Sequence, residues 1–156
     1  AMKHGRWFFE ASAAACRLAG RRGLLLSRHA ENLPGKLPEG VRHFTYAPFG
    51  ELLPRAAALV SHGGIGTVAQ GLAAGLPQLV MPLSHDQPDN AARLARLGVG
   101  VSLPPKRFRP QAVAERLRAL LDDPRVAERA RALRARFAAM RAREAVANLI
   151  EELGGM

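Results

Sequence analysis

Five short apolar runs, each five or six residues long, alternate along this chain with longer segments of helical period, and that alternation restricts the fold more than any other feature. The runs are GLLLSR at 23–28, VRHFTY at 41–46, AALVS at 57–61, QLVMP at 78–82 and GVGVS at 98–102. Apolar and β-branched runs of this length, punctuated by Gly and Pro, read as strands. Between them, residues 7–19 set Phe8, Ala11, Ala15 and Leu18 on one helical face and stop at Gly20. The segment 30–40 is a loop by its two prolines and two glycines, and a short helix is expected at 49–56. Residues 65–74 form a helix that ends at Gly75-Leu76-Pro77, and another opens around Pro88 and runs to Leu97. Two more start near Pro110 and Pro124; the second places Val126, Ala130, Leu133, Phe137 and Met140 in one apolar stripe. A last helix near 143–153 is polar and short of core residues. Strands alternating with helices specify an α/β fold, a Rossmann-like open parallel sheet with helices on both faces. Such sheets bind ligands in the loops at the carboxyl ends of their strands.

Composition narrows the partners. With 156 residues and 48% hydrophobic side chains, the chain suffices for one domain with a core of its own. Its apolar runs stop well short of the roughly 18 residues that cross a bilayer. The N-terminus has no secretion-signal pattern, and Ala1 ahead of Met2 reads as an added residue. The single cysteine, Cys16, cannot form an internal disulfide, which suits a reducing cytoplasm. The net charge of +10 is spread evenly: residues 1–103 carry 11 Lys/Arg against 6 Asp/Glu, and 104–156 carry 12 against 7. A nucleic-acid footprint concentrates its charge in a stripe, so nucleic acid is not expected as a partner. An anionic membrane surface stays as an alternative.

Three loops after strands carry chemistry. Ser61-His62-Gly63-Gly64-Ile65-Gly66-Thr67 leaves a strand and opens a helix. Its glycines let a phosphate approach the backbone, whose free N–H groups at the helix start point toward an anion. His62 and the Thr67 hydroxyl can donate further hydrogen bonds. No Gly-Lys-Ser/Thr follows, so this is not an ATP-binding P-loop. The alternative is a tight turn capped by a histidine. In the second loop, Ser84-His85-Asp86-Gln87-Pro88-Asp89-Asn90, a carboxylate beside a carboxamide can bracket the vicinal hydroxyls of a sugar. Equally, Asp86 or Gln87 can cap the next helix while Asp89 favours its positive end; His85 reads as an exposed loop residue. Tyr46-Ala47-Pro48-Phe49 offers an aromatic face to a flat base, unless Tyr46 and Phe49 belong to the core. His and Cys nowhere have metal-ligand spacing, so neither a metal nor a cofactor is expected.

Together these loops resemble the C-terminal domain of the nucleotide-sugar glycosyltransferases of the GT-B fold, a group that includes bacterial macrolide and sterol glycosyltransferases and plant secondary-product enzymes. The stretch YAPFGELLPRAAALVSHGGIGTVAQGLAAGLPQLVMPLSHDQPDNAARLARLGVG, residues 46–100, is similar to their donor-binding signature nearly throughout, and the likeness extends more loosely over 7–145. The resemblance implies a single nucleotide-sugar-binding domain over 1–156, with 143–156 as its C-terminal helix. It places His62, Gly63, Gly64, Gly66 and Thr67 on the diphosphate-binding loop, and Asp86 and Gln87 on the pair that holds the donor sugar's hydroxyls. Tyr46 falls where the plant signature has a tryptophan that stacks on uracil, with Ala47 and Pro48 in the same base-binding turn. Gln70 stands in place of the plant glutamate that holds the ribose, and Phe49 in place of a glutamine.

The implied reaction is inverting, metal-independent transfer of a hexose from a UDP- or TDP-sugar to an acceptor hydroxyl. His62 would support the leaving diphosphate, while the catalytic base and the acceptor site lie in an N-terminal partner domain. This chain alone is therefore expected to be inactive; the alternative is a stand-alone sugar-nucleotide-binding module. Family members open this half with a mid-sheet strand and a Gly-Ser/Thr turn, and the present chain starts just beyond them. Strand edges exposed by that loss are expected to be paired by another chain, as in a homodimer, by the added N-terminal residues or by rearrangement.

Overall fold

The computed structural model describes residues 5–139 and 142–154, the side chains of 142–146 and 149 excepted. Its elements follow the alternation read from the sequence. Helix α1 (Arg6–Leu18) leads into β1 (Gly23–Leu26) and β2 (Val41–Phe44). Helix α2 (Phe49–Leu52) continues as a 3-10 turn, Leu53–Arg55. The helix expected over 49–56 changes form there because Pro54 has no N–H to donate to the preceding turn. Then come β3 (Leu59–Ser61), α3 (Ile65–Ala73), β4 (Gln78–Val80), α4 (Gln87–Arg96) and β5 (Gly100–Ser102). Helices α5 (Pro110–Asp122), α6 (Pro124–Ala139) and α7 (Ala142–Gly154) complete the described chain. Strands β1 and β2 each end two residues earlier than the sequence suggested. After β1, the Ser27 hydroxyl accepts the His29 N–H and donates to the His29 carbonyl, both at 3.1 Å, which turns the chain out of the strand.

The strands form two parallel sheets, β1–β2 and β3–β4–β5. Gly23 pairs with Val41 at the start of the first, and Leu79 of β4 lies between Val60 and Val101 in the second. Among the described residues nothing pairs β1 with β3, so each keeps one unpaired edge. The interruption falls where the resemblance implies a middle strand. Packing nevertheless joins the two sheets, because Leu25 and Val41 share one apolar cluster with Leu79 and Met81.

Strand period explains the layers. Leu79 and Met81 point into the cluster formed by Phe8, Ala11 and Ala15 of α1 with Val113 and Leu117 of α5. Val80 points the other way, into Val68 of α3, Ala91 and Leu94 of α4, and Ala130 and Leu133 of α6. Helices thus cover both faces, as expected for an α/β fold. Helix α1 departs from its expected single face: Phe9 and Ala13 are buried as well, whereas Leu18 is exposed. The helix touches α5 along one side and β1 and β2 along another, which widens its buried arc, and Leu18 lies at its very end. In the α6 stripe Val126, Ala130 and Leu133 are buried and Phe137 is half-buried; Met140 lies outside the described residues. On α7, Ile150 and Leu153 are exposed. Among the described residues no helix is long and apolar enough to cross a membrane.

Leu79 has no accessible surface, and Leu24, on β1 of the other sheet, is half-exposed. Leu79→Ala is expected to lower the unfolding free energy by about 2–5 kcal/mol, whereas Leu24→Ala should cost less than about 1 kcal/mol. Urea denaturation of both variants checks this. Equal losses would contradict a core centred on β4.

Candidate functional site

The turn after β3 is built around glycines that the packing requires. Gly63 has φ +89°, and a Cβ there would stand 2.5 Å from Val80 Cγ1. Its N–H donates to Ser61 Oγ at 3.1 Å. Gly64 occupies the N-cap of α3, and its carbonyl accepts the N–H groups of Thr67 and Val68, each at 3.0 Å. The N–H groups of Gly64, Ile65 and Gly66 have no partner among the described residues. Around Gly66 the space is open, since a Cβ there would meet nothing within 4 Å. Three consecutive free donors at the positive end of a nine-residue helix make a site for an anion.

His62 flanks these donors. Its ring lies over Gly64, with Nε2 3.0 Å from where a Gly64 Cβ would be. No side chain caps α3, so the alternative of a histidine-capped turn is not what the chain adopts. Burial pushes the His62 pKa below its ordinary value, and the Asp86 carboxylate pulls it partly back up. Neutral imidazole keeps one N–H donor. Thr67 lies half-buried in the first turn of the same helix.

The loop after β4 comes up beside this turn. His85 has φ +58°, a left-handed conformation uncommon for a residue with a Cβ. Gln87 Oε1 accepts the N–H groups of Leu83 at 2.8 Å and Ser84 at 3.2 Å, which folds the loop over the start of α4. Asp86 sits at the N-cap of α4 yet makes no cap hydrogen bond. Its Oδ2 instead accepts from Asn90 Nδ2 at 2.7 Å. The same Nδ2 donates to the Gly63 carbonyl at 2.9 Å, so Asn90 ties the two loops together. Asp86 Oδ1 and the Gln87 Nε2 group remain without partners among the described residues, one acceptor beside one donor. Asp89 lies in the first turn of α4 and pairs with Arg93 at 2.7 Å on the exposed surface.

A third group of residues forms a recess of about 430 Å³ at the carboxyl ends of β1 and β2. Leu26, Ser27 and Arg28 contribute one wall, and Thr45, Tyr46 and Ala47 another. Phe49 and Gln70 close it. Tyr46 is 67% exposed, which removes it from the core and leaves its ring free for a ligand. Phe49 is half-buried, and Pro48 only starts α2. Gln70 Nε2 donates to the Gly66 carbonyl at 3.3 Å, so this side chain stands between the recess and the free donors of α3. His43 Nε2 and the Ser27 carbonyl, 2.8 Å apart, join the two walls.

The structure brings together the glycine turn with its histidine, the Asp86-Gln87 loop and the Tyr46 recess at one edge. Ser27, Arg28, Thr45 and Asn90 belong to the same region, and sequence reasoning passed over them. The first three stand at the carboxyl ends of apolar runs, where open parallel sheets place their ligands. Asn90 shares a helical face with Leu94, and a polar residue on a buried face requires a partner. Among the described residues no group of three or more His, Cys, Asp or Glu is placed to hold a metal ion.

Comparison with known proteins bears on this geometry. Residues 24–153 match the family described as erythromycin biosynthesis protein CIII-like, C-terminal domain. The O-mycaminosyltylonolide 6-deoxyallosyltransferase of Streptomyces fradiae is 40% identical over 144 residues, covering 92% of this chain and 33% of that protein. The chain thus spans about a third of that relative's length. Among solved structures, the calicheamicin glycosyltransferase CalG4 superposes with a TM-score of 0.83 at 27% identity, over 96% of this chain and 38% of that one. The glycosyltransferase VinC in complex with dTDP gives 0.77 at 26% identity, over 94% and 36%.

The His62 surroundings carry a direct test. Its Cε1 proton, followed by NMR through pH, is expected to titrate below the ordinary 6.5. Asp86→Asn is expected to move that midpoint lower still, because it removes the charge that favours the imidazolium. A midpoint unmoved by Asp86→Asn would contradict the proximity of the two loops.

Proposed function

The chain belongs to the erythromycin biosynthesis protein CIII-like C-terminal domain family, and from that membership we propose that it is the donor-binding half of a glycosyltransferase that moves a deoxyhexose from a thymidine diphosphate sugar to an acceptor hydroxyl. The observation that carries this reading is the row of free N–H groups at Gly64, Ile65 and Gly66, with His62 beside them. When the bond between the anomeric carbon and the β-phosphate oxygen breaks, negative charge grows on the departing diphosphate. Fixed donors at a helix N-terminus bind that charge more strongly in the transition state than in the ground state. They supply the stabilisation that a metal ion supplies in other phosphate chemistry. Attack by the acceptor hydroxyl on the opposite face of the sugar inverts the anomeric centre.

In this reading Asp86 Oδ1 accepts from a sugar hydroxyl and Gln87 Nε2 donates to its neighbour. Tyr46 stacks on the base, and Ala47 and Pro48 shape the turn around it. Gln70 favours a deoxyribose: with Nε2 bound to the Gly66 carbonyl it has only one acceptor to offer, whereas a carboxylate would take both hydroxyls of a ribose. Binding of dTDP in the structure of VinC points the same way, and the 6-deoxyallosyl group in the name of the Streptomyces fradiae relative suggests the sugar class. An acceptor-binding partner domain provides the acceptor and the base that takes the hydroxyl proton. His62 acts on the leaving group and is not that base.

Calorimetric titration separates the parts of this reading. The wild-type chain is expected to bind dTDP more tightly than UDP, and His62→Ala to weaken dTDP by about tenfold, or about 1.4 kcal/mol. An anion favours protonated His62, whose free pKa is depressed, so dTDP affinity should rise as pH falls through the His62 midpoint. Equal affinity for both nucleotides would refute the role given to Gln70. Binding of dTDP indifferent to His62→Ala would refute the diphosphate site.

A further inference from the structure

We infer that Asn90 is a positioning residue: it fixes the direction in which the Gly64 N–H points and couples that donor to Asp86. The inference rests on the diphosphate reading of the α3 N-terminus and assigns a role to a side chain that touches no ligand.

The peptide between Gly63 and Gly64 is a rigid plane in which the carbonyl oxygen and the N–H point in opposite directions. Asn90 Nδ2 holds the Gly63 oxygen at 2.9 Å. Anchoring that oxygen on the α4 side turns the Gly64 N–H away from α4, toward the open space around Gly66. Without the anchor little else fixes this peptide. It joins two glycines, the residues with the widest choice of backbone conformation, and Gly63 already stands at φ +89°. The Ser61 hydroxyl restrains only the preceding peptide, through the Gly63 N–H.

Three facts make Asn90 suited to the task. It is 6% exposed, so solvent does not compete for its hydrogen bonds. Its two partners are a carbonyl and a carboxylate, both acceptors, which fixes the amide with its NH₂ facing them. Its backbone lies in the first turn of α4, held by the bond from its own N–H to the Asp86 carbonyl at 2.9 Å. Because one nitrogen serves both loops, the carboxylate assigned to the sugar and the donor assigned to the diphosphate are set by one side chain.

The test uses ¹⁵N-labelled chain, wild type and Asn90→Ala, with Asn90→Ser as a second variant that replaces the amide by a smaller polar group. In ligand-free protein, the Gly64 amide resonance of both variants is expected to shift and broaden while the amides of α3 from Val68 onward keep their positions. With dTDP and thymidine as probes, Asn90→Ala is expected to lower dTDP affinity by about tenfold and to leave thymidine affinity within about twofold. A merely structural role would weaken both probes alike. An unchanged Gly64 resonance in both ligand-free variants, or equal losses for the two probes, overturns the inference. If wild-type chain binds no dTDP, the diphosphate reading fails, and the ligand-free Gly64 resonance still decides what Asn90 does.

Discussion

Gly63 stands closer to β4 than any residue with a side chain could, 2.5 Å from Val80 Cγ1 for a hypothetical Cβ, and the candidate site depends on that approach. It lets the chain leave β3 at φ +89° and enter α3 without a side-chain cap. An uncapped helix start leaves backbone donors unpaired, which costs free energy unless water or a ligand meets them. Val80 is itself fixed, fully buried between α3, α4 and α6. The position of the free donors therefore follows from the core beneath them. A larger residue at 63 would displace β4 or the turn, and with either the relation of His62 to Asp86.

The edge is assembled from three loops whose hydrogen bonds constrain one another. Gln87 uses its carbonyl on its own loop, Asp86 uses one oxygen on Asn90, and Gln70 uses its amide on Gly66. What each has left over is free to meet a ligand. This division of labour matters more for selectivity than the chain's net charge of +10, which is spread along the sequence and names no particular anion. Arg28 is a local exception, an exposed cation at the mouth of the recess without a carboxylate partner among the described residues.

Much of this was legible from the amino acids. Apolar runs alternating with helical segments specified the parallel strands and the helices on both faces, and Gly75, Gly98, Pro110 and Pro124 punctuate the helices where expected. The three loops of the candidate site follow from their places after strands. What the sequence left undecided depends on contacts between distant segments. Tyr46 and Phe49 read as core as readily as they read as site, core having the edge, and only the course of β1 and β2 exposes the tyrosine. Asp86 reads as a helix cap, but Asn90 offers it a better placed donor. The bond from Asn90 to Gly63 spans 27 residues and has no local signature. Leu18 fits the α1 periodicity yet lies exposed at the helix end, because periodicity does not say where the covering sheet stops.

The central claim is that a nucleoside diphosphate sits on the α3 N-terminus with its base against Tyr46, and a crystal structure of the chain with dTDP tests it most directly. The account predicts β-phosphate oxygens within hydrogen-bonding distance of the Gly64 and Ile65 N–H groups and of the His62 ring. It also predicts thymine in the recess between Tyr46 and Gln70. A diphosphate held elsewhere, on exposed arginines of α5 or α6 with the α3 N-terminus unoccupied, would contradict it.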